Sequence, residues 1–189
     1  MVLADTPRLT VSRELYLAII RENPNLPIER RRDGTLIVMP PTGSDASRRN
    51  AEITVQLGTW NRGRGGVVFD SSGGFDLPDG STLSPDAAWV PRSRWSGLTE
   101  EERRRFSPLC PDFVVELLSP SDNLNEARDK LADFIRNGAQ LGWLIDPFRK
   151  AVEIYRTGRE PEIRENPRSV DGEGILPGFV LDLTAVFDE

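Results

Sequence analysis

Apolar and polar positions alternate along the chain with two distinct rhythms. Val11 to Glu22 reads as a short amphipathic helix, with Leu15, Ala18 and Ile19 on one side and Asn23-Pro24 ending it. Ile28 to Arg32 and Thr35 to Met39 flank Asp33-Gly34, which predicts a hairpin. Pro40-Pro41-Thr42-Gly43 breaks the chain, and Ser44 or Asp45 is placed to cap the next helix. In that helix Ala46, Ile53, Leu57 and Trp60 share one face, with Arg48, Arg49 and Glu52 off it, and Gly63, Gly65 and Gly66 stop it.

Val67-Val68-Phe69 opens a strand region running to Leu77. Pro78-Asp79-Gly80 is a turn, and Ala87 to Val90 reads as the returning strand. Thr99 and Glu102 have capping-box spacing in a short helix within Leu98 to Phe106. Asp112 to Leu118 is an almost continuously apolar strand. Asp122 to Asn137 is a helix whose stripe is Leu124, Ala127, Leu131, Phe134 and Ile135, with Gly138 as its stop. Leu141 to Ile145 and Ala151 to Tyr155 are strands, Arg159 to Gly174 is expected as polar loop, and Ile175 to Phe187 closes the fold. This order predicts one α/β domain over residues 1–189, a mixed central sheet flanked by helices.

Composition narrows the chemistry. There are no histidines and one cysteine, Cys110, which excludes disulfides, Cys/His zinc sites and every imidazole-based mechanism. Lys130 and Lys150 are the only lysines, so the other 22 of the 24 basic residues are arginine, which is a poor proton acceptor. No apolar run approaches the roughly 20 residues of a membrane-spanning helix, and the N-terminus lacks a signal pattern, so a soluble cytoplasmic protein is expected.

Four residues are candidates for chemistry. Glu116 stands inside Phe113-Val114-Val115-Glu116-Leu117-Leu118, where a carboxylate is costly unless paired; strand alternation puts it on one face with Asp112, Val114 and Leu118. Its bland reading is a sheet-edge or salt-bridged glutamate. Asp86, in Ser84-Pro85-Asp86-Ala87, stands at the mouth of an apolar strand, where it could equally be turn chemistry. Lys130 lies roughly 95° from the centre of its helix stripe, a flank from which it can reach the adjacent strand or merely pair with Glu126. Glu52 is a helical carboxylate beside Arg48 and Arg49. Together, acidic oxygens and one lysine suit Mg2+ or Mn2+, with a metal-activated water attacking a phosphoryl group.

The segments Gly74-Phe75-Asp76-Leu77, Ser84-Pro85-Asp86-Ala87-Ala88-Trp89-Val90 and Pro111-Asp112-Phe113-Val114-Val115-Glu116-Leu117-Leu118-Ser119-Pro120-Ser121-Asp122, with Lys130 and Gly142-Trp143-Leu144-Ile145-Asp146-Pro147, resemble the Uma-two family of restriction endonucleases. The likeness runs from about Leu9 to Phe187 and includes Met39-Pro40-Pro41 and Leu176-Pro177-Gly178-Phe179. It implies the PD-(D/E)XK nuclease superfamily: a restriction-endonuclease-like core and Mg2+-dependent hydrolysis of DNA phosphodiesters. By position it implies that Asp86 and Glu116 bind metal, that Glu52 completes the site, and that Lys130 is catalytic. The superfamily pattern places its lysine two residues after the glutamate; Leu118 stands there, and the resemblance assigns the role to Lys130 on the following helix. A homodimer is expected by analogy, because cutting two strands favours two sites.

The net charge of -6 argues the other way, since nucleic-acid binders usually carry a basic footprint. Arg30-Arg31-Arg32, Arg48-Arg49, Arg62 with Arg64, and Arg103-Arg104-Arg105 are the local exceptions, each also readable as a solvated face. Two alternatives therefore stand beside the nuclease: a non-catalytic nucleic-acid-binding or assembly module that kept the fold, and a metal-dependent phosphoesterase acting on RNA or a small nucleotide.

Overall fold

The computed structural model describes residues 9–23, 26–39 and 42–188; the expected breaks at Asn23-Pro24 and Pro40-Pro41 and the N-terminal signal reading fall wholly or partly outside these. The elements are α1 (Arg13–Glu22), β1 (Ile28–Arg30), β2 (Leu36–Val38), α2 (Ser44–Asn61), β3 (Gly66–Asp70), β4 (Phe75–Asp76), β5 (Thr82–Leu83), β6 (Ala87–Pro91), α3 (Arg92–Ser96), α4 (Glu100–Arg103), β7 (Phe113–Leu117), α5 (Leu124–Arg136), β8 (Leu141–Asp146), β9 (Ala151–Arg156), β10 (Glu162–Glu165), β11 (Ser169–Asp171), β12 (Val180–Asp182) and α6 (Thr184–Phe187).

The main sheet has six strands in the order β10-β9-β8-β7-β6-β3. Its one parallel pair is β7 with β8, joined through α5; the others are antiparallel. β7 is buried at all five positions because both faces of the sheet are covered. On one face Phe113, Val115 and Leu117 pack with Trp143, Ile53 and Leu57 of α2, and the C-terminal Leu176, Phe179 and Leu181. On the other, Val114 and Leu144 pack under Leu131 and Phe134 of α5. Gly142 brings α5 close: a Cβ there would lie 3.2 Å from Leu131 Cδ1 and 3.3 Å from Val114 Cγ2. A second, antiparallel sheet, β2-β1-β5-β4, sits beside that α5-covered face. Its β1–β2 hairpin pairs Ile28 with Val38, and Gly34 makes the turn at φ +90, a conformation open to glycine.

Several local expectations need correction. The buried residue of α1 is Tyr16, stacked on Phe106 and donating to the Ile28 carbonyl, while Leu15 is half exposed; the stripe is rotated by one residue because the chain packs this helix on an aromatic ring. Gly43, not Ser44 or Asp45, occupies the cap position of α2, so Asp45 sits in the first turn and binds Arg48 and Arg49. Arg49 is buried, with its guanidinium bonded to Asp45 and to the Val186 carbonyl, which satisfies its charge within the core. The expected loop over 159–174 contains β10 and β11. β10 is an exposed edge strand and β11 part of a two-stranded ribbon, so neither has the apolar alternation that marks a half-buried strand.

Candidate active site

Lys130 is carried on α5 at the flank of the apolar stripe, and the helix presses it down beside β7 rather than out to water. The residue is buried. Its Nζ donates to the Ser84 carbonyl at 2.8 Å and lies 3.0 Å from Glu29 Oε1 and 3.1 Å from Glu116 Oε1. Glu116 reaches it because strand alternation turns positions 114, 116 and 118 toward α5. Glu29 arrives from β1 of the small sheet, and its Oε1 also accepts the Ser84 N–H at 2.8 Å.

Asp86 enters from the turn before β6, the neighbour of β7. Its Oδ2 accepts the Leu117 N–H at 2.7 Å, and its Oδ1 accepts from Asn50 Nδ2 of α2 at 3.3 Å. These residues line one open cleft of about 600 Å³, together with Arg31, Ser119 and Asp122.

The charges do not balance. Glu29, Asp86 and Glu116 face a single ammonium. Burial pushes the Glu116 carboxyl well above the ordinary carboxylate range; Lys130 opposes this, while Asp86 and Glu29 add to it. Burial also raises Asp86, against Lys130 and the Leu117 N–H. Lys130 loses solvation as well, but Glu116, Glu29 and Asp86 outweigh that and hold it protonated. Asn50 Oδ1 is buried with no hydrogen-bond partner, and the buried Glu116 Oε1 has only its ion pair with Lys130 at 3.1 Å.

These features fit a hard divalent cation. The donors are carboxylates in negative excess, and the buried Glu116 Oε1 has no contact except an ammonium that it shares with Glu29. Among the described residues no three Asp, Glu, Cys or His side chains form a ready cage. A Mg2+ ion here would rest on the two carboxylates Asp86 and Glu116 and fill its shell with waters and substrate phosphate.

The structure thus brings together Asp86, Glu116 and Lys130. It does not bring Glu52. That carboxylate accepts from Gln56, whose amide bridges to the backbone of Asp182, and it does not line the cleft. The reason is angular: on α2 the cleft is met by Ala46 and Asn50, and Glu52 lies about 200° around the helix from Asn50. The sequence reading missed Glu29 and Asn50. Glu29 carried the same signal as Glu116, a carboxylate in a strand, but Arg30-Arg31-Arg32 beside it reads as a solvated surface. Asn50 fills the gap between Ala46 and Ile53 on the buried stripe of α2, where a polar residue is the anomaly.

The arginine clusters are largely engaged by the protein itself. Arg48 binds Asp45 and the Ala185 carbonyl, and Arg104 and Arg105 pair with Glu100 and Glu101. Arg31 lines the cleft, and its guanidinium reaches the Glu126 carbonyl at 3.5 Å and the Asp133 carboxylate at 3.9 Å.

Comparison with known proteins adds the family. Residues 13–184 match Uma2, described as "Putative restriction endonuclease". The chain belongs to that family. The crystal structure of a "putative nuclease belonging to DUF820" from Anabaena variabilis ATCC 29413 is similar to this Uma2 chain, with a TM-score of 0.78 and 22% identity, over 94% of this chain and 97% of that one. The likeness shows that the mixed α/β architecture is shared. No curated protein matches. Among the described residues of the Uma2 chain, no helix is long and apolar enough to cross a membrane.

Proposed function

We propose that this Uma2 protein hydrolyses DNA phosphodiester bonds with Mg2+ or Mn2+ held by Asp86 and Glu116. One observation carries the reading: a buried ammonium paired with Glu29 and Glu116, with the buried Asp86 carboxylate beside them, at the wall of an open cleft. Such an ion, when bound, polarises a phosphoryl oxygen and makes water easier to deprotonate. The chain supplies the rest. The Leu117 N–H and Asn50 fix the rotamer of Asp86, so its oxygens need not reorganise. Lys130 already has three protein oxygens around its nitrogen. It therefore acts by its field, stabilising negative charge as it grows on the phosphoryl oxygens, rather than by gripping water. Arg31 at the cleft wall is the group suited to a substrate phosphate. Two copies acting together would serve the two strands of a duplex.

The test incubates the protein with supercoiled, linear and single-stranded DNA and with RNA, with and without Mg2+ or Mn2+, beside Asp86→Ala. DNA cleavage that needs the cation and disappears in the variant is expected. Cleavage surviving Asp86→Ala would locate the chemistry elsewhere. Preference for RNA would move the substrate to that class. No cleavage, with Mn2+ binding indifferent to Asp86→Ala, would favour a binding or assembly module.

A further inference from the structure

Ser84, Glu29 and Lys130 close a small ring. Glu29 Oε1 accepts the Ser84 N–H at 2.8 Å, the Ser84 carbonyl accepts from Lys130 Nζ at 2.8 Å, and Lys130 Nζ lies 3.0 Å from that same Glu29 oxygen. Ser84 is two residues before Asp86, so one buried carboxylate ties down both the segment that delivers Asp86 and the ammonium beside Glu116. Glu29 comes from β1, outside the six-stranded sheet. We propose that Glu29 is a positioning residue of this site: it holds Lys130 together with the Ser84 carbonyl and so keeps Glu116 available to a divalent cation. The inference rests on the phosphodiesterase reading of the cleft and extends it to the small sheet, whose hairpin becomes a working wall of the site.

The physical case is one of competition. With Glu29 present, the ammonium divides its attraction between two carboxylates at nearly equal distance. With an uncharged group there, Glu116 becomes its sole close ionic partner, and a cation seeking Glu116 must compete with the whole ammonium. Glu29→Gln makes that change with little change of shape, and its amide oxygen can still accept the Ser84 N–H.

Three readouts test this. In cleavage assays Glu29→Gln is expected to lower kcat by roughly 10- to 100-fold with KM for DNA unchanged, and to add nothing in a Lys130→Met background. By calorimetry its Mn2+ affinity falls by roughly 10-fold or more. The third readout needs neither metal nor activity. Lys130 and Lys150 are the only lysines, and Lys150 is exposed. Acetylation by an N-hydroxysuccinimide ester, followed by peptide mass spectrometry, is expected to spare Lys130 relative to Lys150 in the parent and to raise the Lys130-to-Lys150 ratio several-fold in Glu29→Gln, because one of the two carboxylates engaging the ammonium is gone. The buried Cys110 thiol, still unreactive, shows that the fold has not opened.

A loss additive with Lys130→Met, a change confined to KM, or an unchanged labelling ratio overturns the role of Glu29. If Asp86→Ala abolishes cleavage and Glu29→Gln does not, this inference fails alone. If the parent cleaves nothing, the phosphodiesterase reading fails, and labelling and Mn2+ affinity still decide Glu29. Should Glu29→Gln not fold, Glu29→Asp, which keeps the charge but withdraws it by one methylene, takes its place: Lys130 labelling unchanged from the parent overturns the role.

Discussion

Two buried glutamates lie in one cross-strand row of the main sheet. Glu116 of β7 is in register with Leu144 of β8, and Leu144 with Glu153 of β9, which puts the two carboxylates about 10 Å apart under α5. Each takes its cation from that helix. Arg128 and Lys130 flank the apolar stripe on opposite sides, and each drops onto its own strand. Yet the two pairs are unlike. Arg128 grips Glu153 through Nε at 2.9 and 3.1 Å and through Nη2 at 2.5 Å, and the Tyr155 hydroxyl donates to Glu153 at 3.0 Å. That carboxyl loses solvation, but the guanidinium and the hydroxyl more than restore its charge and hold it below the usual range. Glu116 shares one ammonium with Glu29, has that ammonium as the one contact of its buried Oε1, and is pushed upward by burial, with Asp86 and Glu29 adding to it. Balanced charge and a bidentate fork make Glu153 a strut. Negative excess beside a cleft makes Glu116 the carboxylate to which the proposed function gives a cation.

Substitutions should separate the two. Lys130→Met has the largest expected effect: it takes the shared ammonium from Glu29 and Glu116, with Asp86 beside them, and should cost about 3–5 kcal/mol at pH 8 by urea unfolding. The deficit should shrink toward pH 5 as the raised carboxyls take up protons. Arg128→Met strands only Glu153 and should cost about 2 kcal/mol, the low end of the range because the arginine is itself partly exposed. The smallest pair has opposite signs. Glu153→Gln should destabilise by about 1 kcal/mol, whereas Glu116→Gln should stabilise the metal-free protein by about 1 kcal/mol at pH 8, since it removes one of three crowded negative charges.

The pH dependence sharpens the contrast. Glu153 is lowered in the fold, so its contribution is present above the ordinary value of 4.5 and is lost as pH falls through the lowered one. Glu116 is raised, so its contribution is present below 4.5 and is lost as pH climbs through the raised value. Thermal melts across pH should therefore show Glu153→Gln flattening the acid limb and Glu116→Gln flattening the limb above it. Both variants flattening the same limb would collapse the distinction.

Much of this arrangement was readable from residues alone. The stripe of α5 and the alternation in β7 place Lys130 and Glu116 on facing surfaces, because both follow from local geometry. Asp86 was legible as an acid at a strand mouth; that its oxygen binds the Leu117 N–H depends on which strands become neighbours, and pairing is non-local. Glu29 was hidden for the same reason: nothing near it in sequence says that a hairpin 101 residues upstream of Lys130 will reach it. Glu52 failed because residue type was carried to the helix without its angle, and the position facing the cleft holds Asn50. The polar strands β10 and β11 stayed invisible because solvent-facing edges need no apolar signature.

The most direct trial places the two helical cations side by side. Plasmid cleavage with Mn2+ is measured for the parent, Lys130→Met and Arg128→Met at matched folded fractions. Cleavage reduced roughly 100-fold or more by Lys130→Met, with a measurable remainder, and retained by Arg128→Met is the predicted result. Equal activity in both variants would contradict the assignment of chemistry to the Lys130 cluster.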